Sequence, residues 1–211
     1  MPDRTELAAR LQSSFDVARP FLRTPALRPH QERKPLIAGY AALYEVPSTE
    51  LIDGCRQVIR RGAFDWILDQ RPAVRALVSH HDDMQIASTA DETLHLWADE
   101  FGLVAVVDPN GTPCGHCLPA LIRRAWLNQL SFDYTAPWGS LAHVVRGGEV
   151  LEEFSTFNAL REVSIGQQAR WSQTVCVLEG ETNPLTPSHR WPAAVDRFMA
   201  MESRGYLEVT Q

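Results

Sequence analysis

The stretch Val74-Arg-Ala-Leu-Val-Ser-His-His-Asp-Asp83 joins a short apolar run to a cluster of polar side chains. Residues 74–79 have the length and composition of a buried strand. The four residues that follow, from His80 to Asp83, would lie where that strand ends. A histidine at a strand end can reach a partner across a sheet, and its pKa near neutrality suits it to take a proton from a hydroxyl. A solvated turn and a metal site formed by the same four side chains are the alternatives.

Short strand-like runs of this kind recur through most of the chain. They are predicted at residues 37–45, 57–60, 74–79, 93–98, 103–107, 130–135, 141–145, 150–157, 161–165 and 173–178. Helices are predicted at 6–11, 63–70, 118–127 and 191–206, with Pro119 in the first turn of the third. Many short strands with few helices indicate a mixed α/β fold that is mainly β, with a barrel or a strongly bent sheet.

The texture of the chain divides it into three segments. Residues 1–34 are polar and carry Pro20, Pro25 and Pro29, which is typical of a flexible N-terminal arm. The strand-like runs fill a domain at 35–179. A C-terminal tail at 180–211 is broken by Pro184 and Pro187 before the last predicted helix.

Composition and charge exclude several classes of function. The 211 residues are 45% hydrophobic, which is enough for a folded domain with a core. A net charge of −6 and a pI near 5.6 give no basic surface for nucleic acid or for an anionic membrane. The sequence contains no run of 18 apolar residues and no secretory signal pattern. We therefore expect a cytoplasmic protein that acts on a protein partner or a small substrate.

A C-x-x-C motif, Cys114-Gly-His-Cys117, invites three interpretations. It could be a thiol oxidoreductase site with a low-pKa thiol at a helix N-terminus. It could contribute to a zinc site with His116, although a closed site needs a fourth ligand. It could also be a helix start that happens to carry two thiols. Cys55 and Cys176 are expected to be unpaired, partly buried thiols. The motif lies past the midpoint of a strand-rich chain, unlike that of thioredoxin, so the third interpretation is favoured.

Two later stretches carry further reactive groups. Ser131 interrupts the apolar start of a predicted strand, where serine is a poor β former. Arg161 and Glu162 stand together between apolar neighbours. Glu162 could orient an imidazole, although a surface ion pair with Arg161 is the alternative. For Ser131 the alternative is a hydrogen bond to nearby backbone.

Six short motifs, in order along the chain, resemble those of the tailed-phage prohead maturation proteases. They cover residues 38–169, about two thirds of the chain. They are Gly39-Tyr-Ala-Ala42, Arg61-Gly-Ala-Phe64, His80-His-Asp82, Gly102-Leu-Val104, Leu130-Ser-Phe132 and Glu162-Val-Ser-Ile165.

This resemblance implies a serine endopeptidase with the fold of the herpesvirus assemblins, a bent β-barrel surrounded by helices. By position in the motifs, Ser131 is the nucleophile and His81 the general base. Glu162 is the third member of the triad, with His143 as the alternative. Arg161, or backbone N–H groups near it, would stabilise the oxyanion. The chain departs from the family at Asp133, where glycine is usual and where a carboxylate on the strand face of Ser131 would oppose an oxyanion.

The resemblance also implies where the protein acts and on what. Its partners would be the major capsid protein and scaffold segments, inside the prohead as it assembles in the host cytoplasm. A homo-oligomer is a further possible assembly. No cofactor, metal, nucleic acid or membrane is expected. The alternatives are a protease-like assembly or scaffold module without catalysis, and a thiol oxidoreductase acting through Cys114 and Cys117.

Overall fold

The structure, a computed structural model, describes residues 3–27, 29, 31–49, 55–167 and 169–181 of the 211-residue chain. The fold is mixed α/β and mainly β, as predicted. The helices are α1 (Arg4–Ala18), α2 (Asp65–Asp69) and α3 (Pro113–Arg123). The strands are β1 (Ile37–Leu43), β2 (Arg56–Ile59), β3 (Arg75–Val78), β4 (His81–Ser88), β5 (Leu94–Ala98), β6 (Gly102–Val107), β7 (Gln129–Thr135), β8 (Leu141–Arg146), β9 (Glu149–Phe154), β10 (Ala159–Gly166) and β11 (Cys176–Leu178).

The strands form three sheets. The first has the order β11-β1-β6-β5, the second β4-β3-β10-β7 and the third β2-β9-β8. In the second sheet β10 is central, parallel to β3 and antiparallel to β7. The predicted barrel is not found: across the described parts of the chain the three sheets are open, and none closes on itself.

The first and second sheets meet where β1 passes β7. Tyr40 donates its backbone N–H to the Val175 carbonyl at 3.1 Å, and the Thr174 hydroxyl donates to the Leu130 carbonyl at 2.9 Å. The segment before β11 therefore bonds to both β1 and β7. This junction fixes the start of β7, where the predicted nucleophile lies, against the buried centre of the protein.

An aromatic cluster joins the second sheet to the third. The rings of Phe132 and Trp171 stack with centroids 5.6 Å apart, and Tyr134 and Phe157 meet edge to face at 4.7 Å. Phe154 on β9 packs against Phe157 at 5.7 Å. Such ring pairs add to the burial of apolar area, so the third sheet is held close to β7.

The N-terminal segment differs from the predicted flexible arm. Helix α1 is longer than the predicted 6–11 and packs against β1, β6 and β11. Leu7, Leu11 and Phe15 are at most 2% exposed and belong to the main core. The Asp3 carboxylate caps the helix by accepting the Glu6 N–H at 2.8 Å. An apolar residue at every fourth position places this row on one face, which the core covers.

Helix α3 begins earlier than predicted. Thr112 is its N-cap, accepting the Gly115 N–H at 3.1 Å, and Pro113 occupies the first turn. Pro119 therefore lies inside the helix and not in its first turn, which corrects the prediction. Cys114 and Cys117 lie in the first turns of α3, as the helix-start interpretation expected.

The structure leaves the C-terminal predictions untested. The helix predicted at 191–206, and most of the tail from 180, lie outside the described residues. Among the helices that the structure does describe, none combines the length and hydropathy needed to span a membrane.

Candidate active site

The hairpin between β3 and β4 carries the histidine cluster. Val78 pairs with His81, which leaves Ser79 and His80 as a two-residue turn. Their φ angles are 49° and 63°, so both residues are left-handed, as in a type I′ turn. Left-handed backbone is costly for residues other than glycine, so other contacts must hold this turn. Ser79 donates its N–H to the Ile165 carbonyl at 3.0 Å, which anchors the turn to β10.

Sheet register places the other candidate groups on one face beside this turn. Ser131 on β7 lies directly opposite Ser164 on β10, and Asp133 lies opposite Glu162. Opposed residues on antiparallel strands project to the same side of the sheet, and so do residues two apart along a strand. Ser131 and Glu162, more than thirty positions apart in the sequence, therefore share one face.

A hydrogen-bonded group forms at the centre of this face. His80 Nδ1 lies 2.5 Å from Glu162 Oε1, and Glu162 is only 5% exposed. The Ser164 hydroxyl donates to Glu162 Oε2 at 3.0 Å and accepts the His80 backbone N–H at 2.8 Å. A carboxylate beside Nδ1 favours a proton on that nitrogen, which leaves Nε2 as the free ring nitrogen of neutral His80.

The electrostatics of the imidazole follow from these contacts. The hydrogen bond to Glu162 raises the pKa of His80 above its ordinary value, and the negative charges of Glu162 and Asp133 act in the same direction. Partial burial and the positive charge of Arg170 oppose this shift. The charges therefore favour the protonated imidazole, the form that a general base reaches after taking a proton.

Two cavities meet at this face. The first, of about 370 Å³, is lined by both histidines of the turn together with Ser131, Ser164 and neighbouring residues. The second, of about 470 Å³, is lined by His80, Ser131, Glu162 and several arginines. Ser131 is half-buried, so its hydroxyl lies at a surface that a bound chain could reach.

The predicted histidines occupy different places. His81 is exposed, begins β4 and lines the first cavity. The contact with Glu162 is made by His80, one residue earlier. His143, the alternative third member, lies on β8 in the third sheet, with Nε2 3.6 Å from Glu152 Oε1. The structure therefore brings Ser131, Glu162 and a histidine together, and that histidine is His80.

Two arginines that line the second cavity differ in the charge of the groups they bind. Arg161, the predicted oxyanion group, binds Asp133 with Nη1 2.9 Å from Oδ2, so its ion-pair partner is Asp133 and not Glu162, the partner considered as an alternative. This pairing offsets the carboxylate that shares a face with Ser131. Arg170 lines the same cavity, and its hydrogen-bond partners in the described residues are neutral, Gln57 Oε1 at 2.7 Å and the Tyr134 hydroxyl at 3.3 Å.

The C-x-x-C thiols lack the environment of a redox site. Cys114 and Cys117 are not joined by a disulfide, and they are buried, at 6% and 8% exposure. Burial, and then the charge of Asp83, raise the pKa of Cys114 above its ordinary value, which disfavours the reactive thiolate. Within the described ranges no three histidine, cysteine or acidic side chains are arranged to hold a metal ion.

Sequence reasoning missed His80, Ser164 and Arg170 as site residues. His80 belongs to the motif His80-His-Asp82, but the sequence does not show which of the two adjacent histidines points toward β10. Ser164 had a detectable signal, because it lies two residues from Glu162 and alternation places both on one face. Arg170 follows the end of β10, and nothing in its neighbours marked it.

Comparison with known proteins agrees with the motifs. The profile of a family described as caudovirus prohead serine protease matches residues 23–178, which is more than half of the chain. None of the curated proteins matches significantly.

Among solved structures, two viral proteases are similar. The varicella-zoster virus protease is 14% identical, with a TM-score of 0.38, over 69% of this chain and 64% of its own. The match thus spans slightly under two thirds of that protease. The KSHV protease, solved in complex with a hexapeptide phosphonate inhibitor, is 16% identical, with a TM-score of 0.42, over 83% of this chain and 75% of its own.

Proposed function

The chain belongs to the caudovirus prohead serine protease family, and from that premise we propose that it is an endopeptidase that cleaves capsid and scaffold protein segments within the assembling prohead. The observation that carries the proposal is a half-buried serine hydroxyl on the same sheet face as an imidazole bound to a buried carboxylate. Serine hydroxyls become nucleophilic only with such a base nearby. Ser131 is the nucleophile, His80 the base and Glu162 the group that orients the base.

The proposed reaction proceeds in two steps. Ser131 Oγ attacks the scissile carbonyl carbon while its proton passes to His80 Nε2. The tetrahedral intermediate collapses, the C–N bond breaks, and the leaving amine takes the proton from His80. Water then attacks the ester carbon and gives a proton to His80 Nε2. The C–Oγ bond breaks as His80 returns that proton to Ser131 Oγ, which frees the carboxylic acid product and restores the enzyme. Throughout, Glu162 on Nδ1 stabilises the imidazolium.

Arg170 is the cation best suited to stabilise the negative oxygen of the intermediate. Arg161 is bound to Asp133, so its charge is already offset by a carboxylate. Arg170 is held by two neutral groups, Gln57 and Tyr134, and lines the cavity that contains Ser131. A guanidinium whose charge is not neutralised is attracted more strongly to a developing oxyanion. This revises the role first given to Arg161.

The test of the proposed function is the variant Ser131→Ala. We expect it to fold normally and to lower cleavage of a co-expressed capsid protein with its scaffold segment by about 10⁴-fold or more, because the nucleophile is lost. A fluorophosphonate probe should label the wild-type protein at Ser131, as read by peptide mass spectrometry, and should leave the variant unlabelled.

Ser13→Ala is the matched control, since Ser13 is an exposed serine on α1 whose hydroxyl bonds only locally, to the Arg10 carbonyl at 2.7 Å. It should process the capsid protein and accept the probe like the wild type. Normal capsid processing by Ser131→Ala would refute the proposed function.

A further inference from the structure

Ser164 joins the two groups that the proposed mechanism assigns to the base. It is 1% exposed and lies on β10 directly opposite Ser131. Its oxygen accepts the backbone N–H of His80 at 2.8 Å, and its proton goes to Glu162 Oε2 at 3.0 Å. The contact of His80 Nδ1 with Glu162 Oε1, at 2.5 Å, closes a ring of three hydrogen bonds.

The backbone of the turn explains why such a ring is needed. Ser79 and His80 are both left-handed, a conformation that is unfavourable for residues that have a Cβ atom. Two anchors to β10 hold it: the bond from Ser79 N–H to the Ile165 carbonyl, and the bond from His80 N–H to the Ser164 hydroxyl. The first uses only backbone atoms. The second depends on a side chain, so residue 164 controls the position of His80.

The same ring distinguishes the two facing serines. The hydroxyl proton of Ser164 is committed to a buried carboxylate, and the residue is nearly inaccessible. Ser131 is half-buried and lines both cavities. The geometry therefore suits Ser131 to attack a substrate, and Ser164 to hold the base.

We propose that Ser164 is a positioning residue: its hydroxyl fixes the backbone and the imidazole of His80 relative to Glu162, and so aims the base at Ser131. The inference rests on the proposed function for its kinetic consequences. The placement of the His80 ring by residue 164 does not depend on whether the protein cleaves peptides. Among the described residues, the charges that act on the His80 imidazole are those of Glu162 on β10, Asp133 on β7 and Arg170, and Arg75, Asp82 and Arg161 line the same cavity.

The decisive variants are Ser164→Thr and Ser164→Val, which have nearly the same shape and differ in the hydroxyl. With a peptide substrate, the valine variant should lower kcat by about 10²-fold with little change in KM, because a misplaced base affects the chemical step. The threonine variant should retain most of the wild-type kcat. Threonine and valine add the same bulk at this buried position. A difference between the two variants therefore reports the hydroxyl and not the change of size.

A matched control removes a buried serine elsewhere. Ser88 is 5% exposed, donates to Asp91 Oδ2 at 2.6 Å and accepts the Asp91 N–H at 3.0 Å, at the far end of β4. Ser88→Val should lower thermal stability while leaving kcat near the wild-type value. If Ser88→Val and Ser164→Val lower kcat equally, or if Ser164→Val keeps the wild-type kcat, the proposal is overturned.

A second readout does not need activity. The Nδ1–H proton of His80, bound to a carboxylate, should give a downfield NMR signal that is absent in His80→Asn. We expect Ser164→Thr to keep this signal and Ser164→Val to lose it. An unchanged signal in Ser164→Val would refute the positioning role, whereas an inactive wild-type protein with the expected signals would count against the proposed function alone.

Discussion

His80 is the residue on which the proposed chemistry most depends, and exchanging the two adjacent histidines tests it. His80→Asn should lower kcat by about 10²–10⁴-fold, because the base is lost. Asparagine tolerates the left-handed backbone at this position, so the turn should be kept. His81→Asn is the matched control and should stay within a few-fold of the wild type. Peptide hydrolysis at saturating substrate measures both, and a larger loss in His81→Asn would return the base to His81.

Glu162 sets the pH at which that base works. Because Glu162 raises the pKa of His80, the neutral imidazole needed for catalysis forms only above the ordinary value of about 6.5. The value of kcat/KM should therefore rise with pH through this raised pKa and fall on acidification. In Glu162→Gln the pKa of His80 drops, so the acid limb should move to lower pH while the plateau falls about 10²–10⁴-fold. A plot of kcat/KM against pH measures this, and an unmoved acid limb would contradict it.

At the residue scale, the sequence indicated the candidate nucleophile and carboxylate, but it did not show which of the two adjacent histidines contacts that carboxylate. Ser131 and Glu162 stood out because a polar side chain in an apolar strand is unusual, and the register places them on one face. The choice between His80 and His81 depends on a two-residue turn with positive φ angles. Serine and histidine are not the residues that signal such a turn, so the local sequence did not reveal it.

At the scale of elements, helix α1 is an integral part of the core, and its stability can be measured. Leu11→Ala should lower the free energy of unfolding by about 2–5 kcal/mol, because Leu11 is 0% exposed and its loss leaves a cavity. Val17→Ala, on the same helix at 52% exposure, should change it by less than about 0.5 kcal/mol. Chemical denaturation compares the two variants. Equal, small effects would support the loosely held arm that the sequence suggested.

The two mistaken helix predictions have different causes. The row Leu7, Leu11 and Phe15 has helical spacing and was readable, but the prolines that follow it gave the whole segment the appearance of an arm. The start of α3 was misplaced because Pro119 was taken as a first-turn proline, while Thr112 and Pro113 form a better N-terminus. Capping residues were the more reliable signal here.

At the scale of the whole molecule, the strand pattern predicted the fold class but not how the sheets join. Strand number and spacing follow from local alternation, which the sequence displays. Closure of a barrel depends on which strands pair at the edges, and those pairs are far apart in sequence. The first and second sheets are joined instead by individual hydrogen bonds, such as that from the Thr174 hydroxyl to the Leu130 carbonyl, and by close packing at Gly39.

Gly39 tests whether that junction matters for the site. A Cβ at this position would overlap Leu130 Cδ1 and lie 2.9 Å from the Val175 carbonyl oxygen, so Gly39→Ala displaces the Leu130 side chain and crowds the backbone at Val175. We expect it to destabilise the protein by about 1–3 kcal/mol and to lower kcat, because Leu130 directly precedes Ser131. Gly111→Ala is the control, since its Cβ would meet Pro25 Cγ at an ordinary 3.6 Å. Thermal unfolding and peptide hydrolysis measure both variants. Wild-type stability in Gly39→Ala would show that the two sheets are not packed as closely as this junction requires.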